Sequence, residues 1–218
     1  MLILSGLAAP SFGQSFVNFA NSPSTRVSTN SSFFINGGPT RSGASGLVNS
    51  SLIEPSGYHY ALLAQFYAGS GPTVNSTFTS LLSDNWIYTG ALGNNNLAAG
   101  GIAGGANTQT TAGMPVGDAN QFIVVGWSSN LGTTWNTFST RLASDDWVTA
   151  NDAFGFLGIS PVGTGVGVDS GDIPELLFGG PSGIQTGFSL FLTPIPEPTT
   201  MALAGLAGLS LLLFRRRN

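Results

Sequence analysis

The chain has 218 residues, of which 31 are glycine, 12 are proline and only 7% are charged. Because cysteine is absent, disulfide scaffolds, thiolate metal sites, iron–sulfur clusters and thiol catalysis are excluded. Ten acidic residues stand against six arginines, three of them consecutive at the end of the chain, so no basic patch remains elsewhere and we expect no nucleic-acid partner.

Residues 1–13 form an apolar run that ends in small side chains. Ser11 and Gly13 lie three and one residues before a cut ahead of Gln14, where signal peptidase requires small residues. The run is short and lacks a positive stretch at its start. Either the true start lies upstream of Met1, or the run is an apolar N-terminal strand. We favour a secretory signal peptide, truncated at its start, because the other end of the chain requires export.

Residues 14–193 alternate short apolar runs with connectors rich in Gly, Ser, Asn and Thr. The length allows one all-β domain or two small domains. Strands are predicted at 15–20, 32–35, 58–67, 85–89, 121–128, 154–159 and 187–192. Residues 58–66 alternate with a period of two, and 122–127 are apolar on both faces, as in a central strand. We therefore predict a single mainly β, extracytoplasmic domain of the β-sandwich or jelly-roll type.

One helix is predicted after Thr133 or Thr134, which are candidate caps. Trp135, Phe138 and Leu142 share one face of it at spacings of three and seven. A second, weaker candidate is 76–82. The Gly-rich connectors 90–117 and 161–181 predict mobile surface loops.

The one histidine of the chain, His59, lies within a predicted strand. A Ser-His-Asp triad or a histidine metal site would have to use it. A single histidine inside a strand is more often a partly buried core residue, and we expect that position for His59.

Carboxylates and tryptophans are the other candidates for chemistry. A glycosidase needs two carboxylates about 5–10 Å apart, and Asp145, Asp146 and Asp152 are close in sequence, but adjacent aspartates near a helix end usually cap it or face solvent. Segment 169–172 has oxygen ligands for Ca²⁺ without the length or final Glu of an EF-hand loop, so we expect a turn. Four tryptophans could stack on sugars, although we expect most in the core: Trp86, Trp127, Trp135 and Trp147. We predict no enzymatic activity, no metal and no cofactor.

The last 25 residues, 194–218, have three parts in order. Alternate prolines cannot continue a helix or a central strand, so 194–198 is predicted to be extended. Residues 199–214 are uncharged and would form a transmembrane helix about 24 Å long, which snorkelling arginines and local thinning fit to a core of about 30 Å. A basic end then stays in the cytoplasm. It consists of Arg215, Arg216 and Arg217, the arginine cluster below.

This tail resembles the PEP-CTERM sorting signal of Gram-negative bacteria. The resemblance rests on Pro196, Glu197 and Pro198 (the sorting motif below), on the two threonines that follow, on the Gly/Ala/Leu-rich span and on the arginine cluster. It implies that exosortase, a membrane cysteine protease-transpeptidase, recognises the tail and removes it at or near the motif. These residues are then recognition elements, with no catalytic role.

The sequence thus predicts an exported, non-enzymatic protein that is anchored in the inner membrane before exosortase processing. It then reaches the cell surface or an exopolysaccharide matrix, where its role is structural or adhesive. The alternative is a secreted carbohydrate-binding or carbohydrate-degrading module that uses exposed Trp and Asp side chains. A third possibility is that the tail is never cleaved and the protein stays a single-span membrane protein.

Overall fold

Strands dominate the computed structural model, which describes residues 14–29, 57–66, 81, 86–95, 100–144 and 155–192. Within these ranges there are ten strands and one α-helix. In chain order they are β1 (Ser15–Val17), β2 (Ser28–Thr29), β3 (Tyr58–Phe66), β4 (Ile87–Asn95), β5 (Ile102–Ala103), β6 (Thr108–Thr110), β7 (Ala119–Ser128), α1 (Trp135–Ser144), β8 (Phe156–Ile159), β9 (Gly163–Val166) and β10 (Ser189–Leu192). The prediction of a mainly β body is confirmed.

The strands form a large curled sheet and a two-stranded sheet. The large sheet has the order β2-β10-β8-β7-β3-β4-β5, with β9 also paired to β7, and the small sheet pairs β1 with β6. All pairs are antiparallel except β2 with β10, which are parallel. Isolated bridges join Phe16 to Val168, just after β9, and Ala20 to Ala103 of β5, so the segment around β1 is also joined to the edge strand of the large sheet.

The long strands β3 and β7 form the middle of the large sheet and pair along their whole length, from Tyr58↔Ser128 to Phe66↔Asn120. Their side chains alternate between two cores, as the period of two predicts. The first core includes Tyr58, Tyr60, Leu62, Ala64, Phe122 and Val124. The second core includes Ala61, Leu63, Ile123, Val125 and Trp127. The sheet is therefore covered on both faces.

Helix α1 covers the face of the second core. Thr134 caps the helix, because its Oγ1 accepts a hydrogen bond from the Thr137 amide at 3.3 Å. Phe138 is fully buried and its ring stacks on Trp127 with centroids 4.4 Å apart, while Leu142 packs against the edge of the cluster. The predicted helix, one of its two candidate caps and its apolar face are confirmed.

Strand β4 contains a glycine-dependent irregularity opposite β3. The register shifts between Ala61 and Leu63, where Gly90 has a φ of +87°, a conformation that favours glycine. Thr89 Oγ1 donates to the Leu62 carbonyl at 2.9 Å and accepts from the Ala91 amide at 3.2 Å. These bonds replace the ladder bonds that the irregularity interrupts.

Two predicted loops contain regular structure. The predicted strand 85–89 is β4, which continues to Asn95, and β5 and β6 follow inside the connector predicted for 90–117. Strand β9 lies inside the connector predicted for 161–181. In the connector 90–117, Gly104 lies directly against Phe19. A Cβ on Gly104 would overlap the Phe19 ring, so glycine is required at this position. The loop predictions for 90–117 and 161–181 were therefore wrong where the end of β4 and the strands β5, β6 and β9 lie.

Several predictions lie outside the described residues. They are the signal segment 1–13, the strand at 32–35, all of the candidate helix 76–82 except Leu81, and the tail from 193 onward. The boundaries 1–13, 14–193 and 194–218 stay predictions.

Candidate functional site

Strand β10 is the last described element before the tail, and it is paired on both sides. On one side Phe191 and Leu192 are register partners of Leu157 and Phe156 in β8. On the other side β10 runs parallel to β2. Leu190 is fully buried in the first core, whereas Phe191 on the opposite face is 55% exposed. The tail therefore begins at a strand that lies inside the sheet and not at its edge.

The contact between β10 and β2 includes a side-chain hydrogen bond. Ser28 Oγ and Ser189 Oγ are 2.8 Å apart, and the Ser28 amide donates to the Phe188 carbonyl at 3.0 Å. On the β8 side, Gly158 leaves no space, since a Cβ there would overlap the Ser189 carbonyl oxygen. β10 is thus packed closely between its two neighbours.

The predicted site residues follow this strand in sequence. The sorting motif begins with Pro196, four residues after Leu192, and the predicted helix 199–214 and the arginine cluster come after it. All three parts lie outside the described residues. Among the residues that the structure does describe, no helix has the length and the apolar character needed to cross a membrane.

His59 occupies the core position that its strand predicts. Its side chain is 3% exposed, and its Nδ1 lies 2.8 Å from the Asn94 Oδ1. The ring lies beside Trp127, with centroids 5.8 Å apart. The surrounding contacts are those of a packed residue between β4 and β7, and the expectation of a core histidine is confirmed.

The acidic candidates do not assemble into one described group. Segment 169–172 forms a turn in which the Asp172 amide donates to the Asp169 carbonyl at 3.2 Å, and both side chains are exposed, which confirms the predicted turn. Asp145, Asp146 and Asp152 lie outside the described residues. Within the described ranges, no group of three His, Asp or Glu side chains is placed to hold a metal ion.

The described tryptophans belong to the second core. Trp127 is fully buried, Trp86 is nearly so, and Trp135 stacks on Tyr88 with centroids 5.4 Å apart. The Trp127 Nε1 donates to the Gly132 carbonyl at 2.6 Å. Three of the four tryptophans are therefore packing residues, as expected, and Trp147 lies outside the described residues.

Burial also changes the pKa of one tyrosine in the first core, Tyr60. Tyr60 is completely buried and its hydroxyl donates to the Asn95 Oδ1 at 3.2 Å. Burial, followed by the charge of Tyr58, raises the pKa of Tyr60 well above its usual value. This tyrosine therefore stays neutral and serves packing.

No sequence pattern predicted the contact between Ser28 and Ser189, which are 161 positions apart. Short polar side chains on short strands have no pattern that assigns a pairing partner.

Comparison with protein families found one match, between residues 194–217 and the model of the PEP-CTERM protein-sorting motif. The comparisons with curated proteins and with solved structures gave no match. The matched range begins two residues after the end of β10 and includes the sorting motif and the arginine cluster. The resemblance of the tail is therefore confirmed.

Proposed function

We propose that exosortase processes this PEP-CTERM protein, whose tail matches the family model at residues 194–217, into a structural or adhesive protein of the cell surface or exopolysaccharide matrix. The match at 194–217 is the observation that carries this proposal. The protein passes through a membrane-anchored intermediate, in which the tail helix 199–214 spans the inner membrane and the arginine cluster lies in the cytoplasm.

Processing breaks one peptide bond at or near the sorting motif. The enzyme's thiolate attacks the carbonyl carbon, the C–N bond breaks, and the tail leaves as an amine that takes up a proton. Water then resolves the thioester and leaves a free carboxylate on the body. Alternatively, the amine or hydroxyl of an acceptor takes its place and adds the acceptor's mass. The mass of the mature protein therefore distinguishes hydrolysis from attachment.

For residues 14–193 we propose a β-sandwich or jelly-roll domain without catalytic activity. The two-sided covering of the large sheet supports a layered β domain. A non-enzymatic role is supported by the burial of His59, which is hydrogen-bonded to Asn94, and by the exposure of the carboxylates in the described part of the chain. The carbohydrate-module alternative has less support, since Trp86 and Trp127 are buried in the second core and the half-buried Trp135 packs against it.

The test compares the C-terminus of the protein in a PEP-CTERM host with and without its exosortase gene. We expect the host to yield a protein that lacks the arginine cluster, and the deletion strain to retain Arg215, Arg216 and Arg217. Intact-mass and C-terminal peptide mass spectrometry read both outcomes. Recovery of the complete arginine cluster from the host with active exosortase would refute processing and favour a permanent single-span protein.

Two variants assign the recognition elements. Glu197→Ala should reduce processing by at least tenfold if the motif is read by the enzyme. The matched control is Glu175→Ala, the same substitution at an exposed body residue, which should process normally. Equal processing of both variants would exclude Glu197 as a recognition element.

A further inference from the structure

Strand β1 begins one residue after the cut that the sequence predicts for signal peptidase, between Gly13 and Gln14. Ser15, the first residue of β1, is completely buried, and its register partner is Thr110 in β6. All register pairs of β1 therefore lie on the body side of the predicted cut. Removal of the signal segment keeps these pairs and makes Gln14 the first residue of the mature protein.

Gln14 is exposed, and its side chain is bound to a second exposed glutamine, Gln109 in β6. Phe16 and Gln109 are register partners, and Gln14 shares the face of Phe16 because side chains alternate along a strand. Gln14 Oε1 accepts a hydrogen bond from Gln109 Nε2 at 2.6 Å. The bond uses the carbonyl oxygen of the Gln14 amide and leaves the amide nitrogen out of the contact.

We propose that the mature protein begins at Gln14 and that Gln14 then cyclises to pyroglutamate, with the help of Gln109. The cut frees the backbone nitrogen of Gln14 as an α-amine, in the same residue as the side-chain amide. The amine attacks Cδ and closes a five-membered lactam. The bond from Cδ to Nε2 breaks, and Nε2 leaves as ammonia with a proton from the amine. The step needs no co-reactant, and proximity within one residue favours it.

Gln109 donates to the atom on which charge develops during this step. Attack of the amine on Cδ places negative charge on Oε1 in the tetrahedral intermediate, and a hydrogen-bond donor at that oxygen stabilises it. The same oxygen becomes the lactam carbonyl oxygen, so Gln109 keeps its acceptor in the product. The lactam nitrogen carries no positive charge. Cyclisation therefore leaves a neutral chain end beside β1 and β6 in place of a cationic amine.

The experiment reads the N-terminal peptide of the protein by mass spectrometry after expression from its own gene in a PEP-CTERM host. We expect a peptide that starts at residue 14 and is lighter than the glutamine form by one ammonia. Gln14→Asn should start at the same residue with its full mass, because asparagine would have to close a strained four-membered ring. A synthetic peptide with the same first residues, taken through the same preparation, measures any cyclisation caused by handling.

Pulse-chase labelling in the same host measures the contribution of Gln109. Gln109→Met keeps the length of the side chain without its donor and should slow conversion about three- to tenfold, as expected for one lost hydrogen bond. The matched control is Gln185→Met, the same substitution at an exposed glutamine that donates to the Gly183 carbonyl at 3.0 Å. Gln185→Met should convert within about twofold of the wild type.

Each other outcome overturns part or all of the proposal. A mature chain that starts at another residue, or that starts at Gln14 with its amide intact, overturns the cyclisation. Equal conversion of Gln109→Met and Gln185→Met overturns the part assigned to Gln109. The proposed function is tested separately at the other end of the chain, by loss of the arginine cluster. A protein that starts with pyroglutamate but retains the arginine cluster would refute exosortase processing alone.

Discussion

Replacement of Phe138 by alanine should remove the main attachment of α1 to the sheet. The Phe138 ring is completely buried. It stacks on Trp127 at 4.4 Å with an interplanar angle of 13° and lies 5.7 Å from Trp135. Phe138→Ala deletes this ring in the middle of the second core, where the large sheet and the helix meet. The cavity can close only if the helix moves toward the sheet.

The expected loss follows from the buried ring. Truncation of a buried phenylalanine to alanine costs about 3–5 kcal/mol, a large share of the roughly 5–15 kcal/mol that stabilises a typical domain. With a urea m-value of about 2 kcal/mol/M, the unfolding midpoint should fall by about 2 M. Phe138→Leu keeps most of the volume and loses mainly the ring interactions, about 0.5–1.5 kcal/mol.

Equilibrium urea unfolding of the purified protein, followed by far-UV circular dichroism, measures these losses. Circular dichroism is preferred because the substitution lies beside two tryptophans and changes their fluorescence directly. The control is Thr140→Ala on the exposed face of α1, which should shift stability by less than about 0.5 kcal/mol. A midpoint shift below about 0.5 M for Phe138→Ala would refute the packing of α1 as the closure of the second core.

Two further predictions concern the first core and its rim. Gly90→Ala should destabilise the protein by at least about 1 kcal/mol more than the control Gly117→Ala. Both glycines have a positive φ, but a Cβ would overlap Thr111 only at Gly90. Equal urea midpoints of the two variants would contradict the close packing of β4. Tyr60→Phe should cost about 1 kcal/mol at pH 7 through the lost hydrogen bond to Asn95. The raised pKa of Tyr60 means that its unfolded form ionises first, so wild-type stability should fall more steeply than that of the variant above about pH 10. Parallel stability curves between pH 8 and 11 would show that Tyr60 does not resist ionisation.

The elements that sequence alone predicted correctly are those whose evidence is local. Alternation along 58–66 predicted β3 and its inward face, and the uninterrupted apolar run 122–127 predicted the central strand β7. Spacing on one helical face placed Trp135 and Phe138 against the sheet. In each case the pattern of apolar residues indicates which side chains are buried, and their burial determines the structure that the segment adopts.

The missed strands depend on partners that are distant in sequence. β6 has the polar sequence Thr-Gln-Thr and is a strand because β1 pairs with it. β9 has the sequence Gly-Thr-Gly-Val, whose glycines allow the ring of Phe122 to lie against the backbone. Composition assigns such segments to loops, since they are short, have no apolar stripe and lie in Gly-rich stretches, and glycine is depleted in strands. Only the folded sheet shows that their backbone groups are paired.

The sorting motif and the strand β10 before it also differ in how far they could be predicted. The sorting motif could be identified from the sequence because an enzyme that reads an extended peptide uses consecutive residues, and consecutive residues are what a sequence displays. The strand to which the motif is attached could be predicted, at 187–192, but not its neighbours. The pairing of Ser189 with Ser28 brings together segments from opposite ends of the chain.

That pairing also bears on folding. Among the described strands β10 is the last in the chain, and its parallel partner β2 is the second. A contact between segments so far apart in sequence closes a long loop, and loop closure costs conformational entropy before the contact is made. The position of β10 between β2 and β8 therefore depends on the rest of the sheet, and no local pattern could predict it.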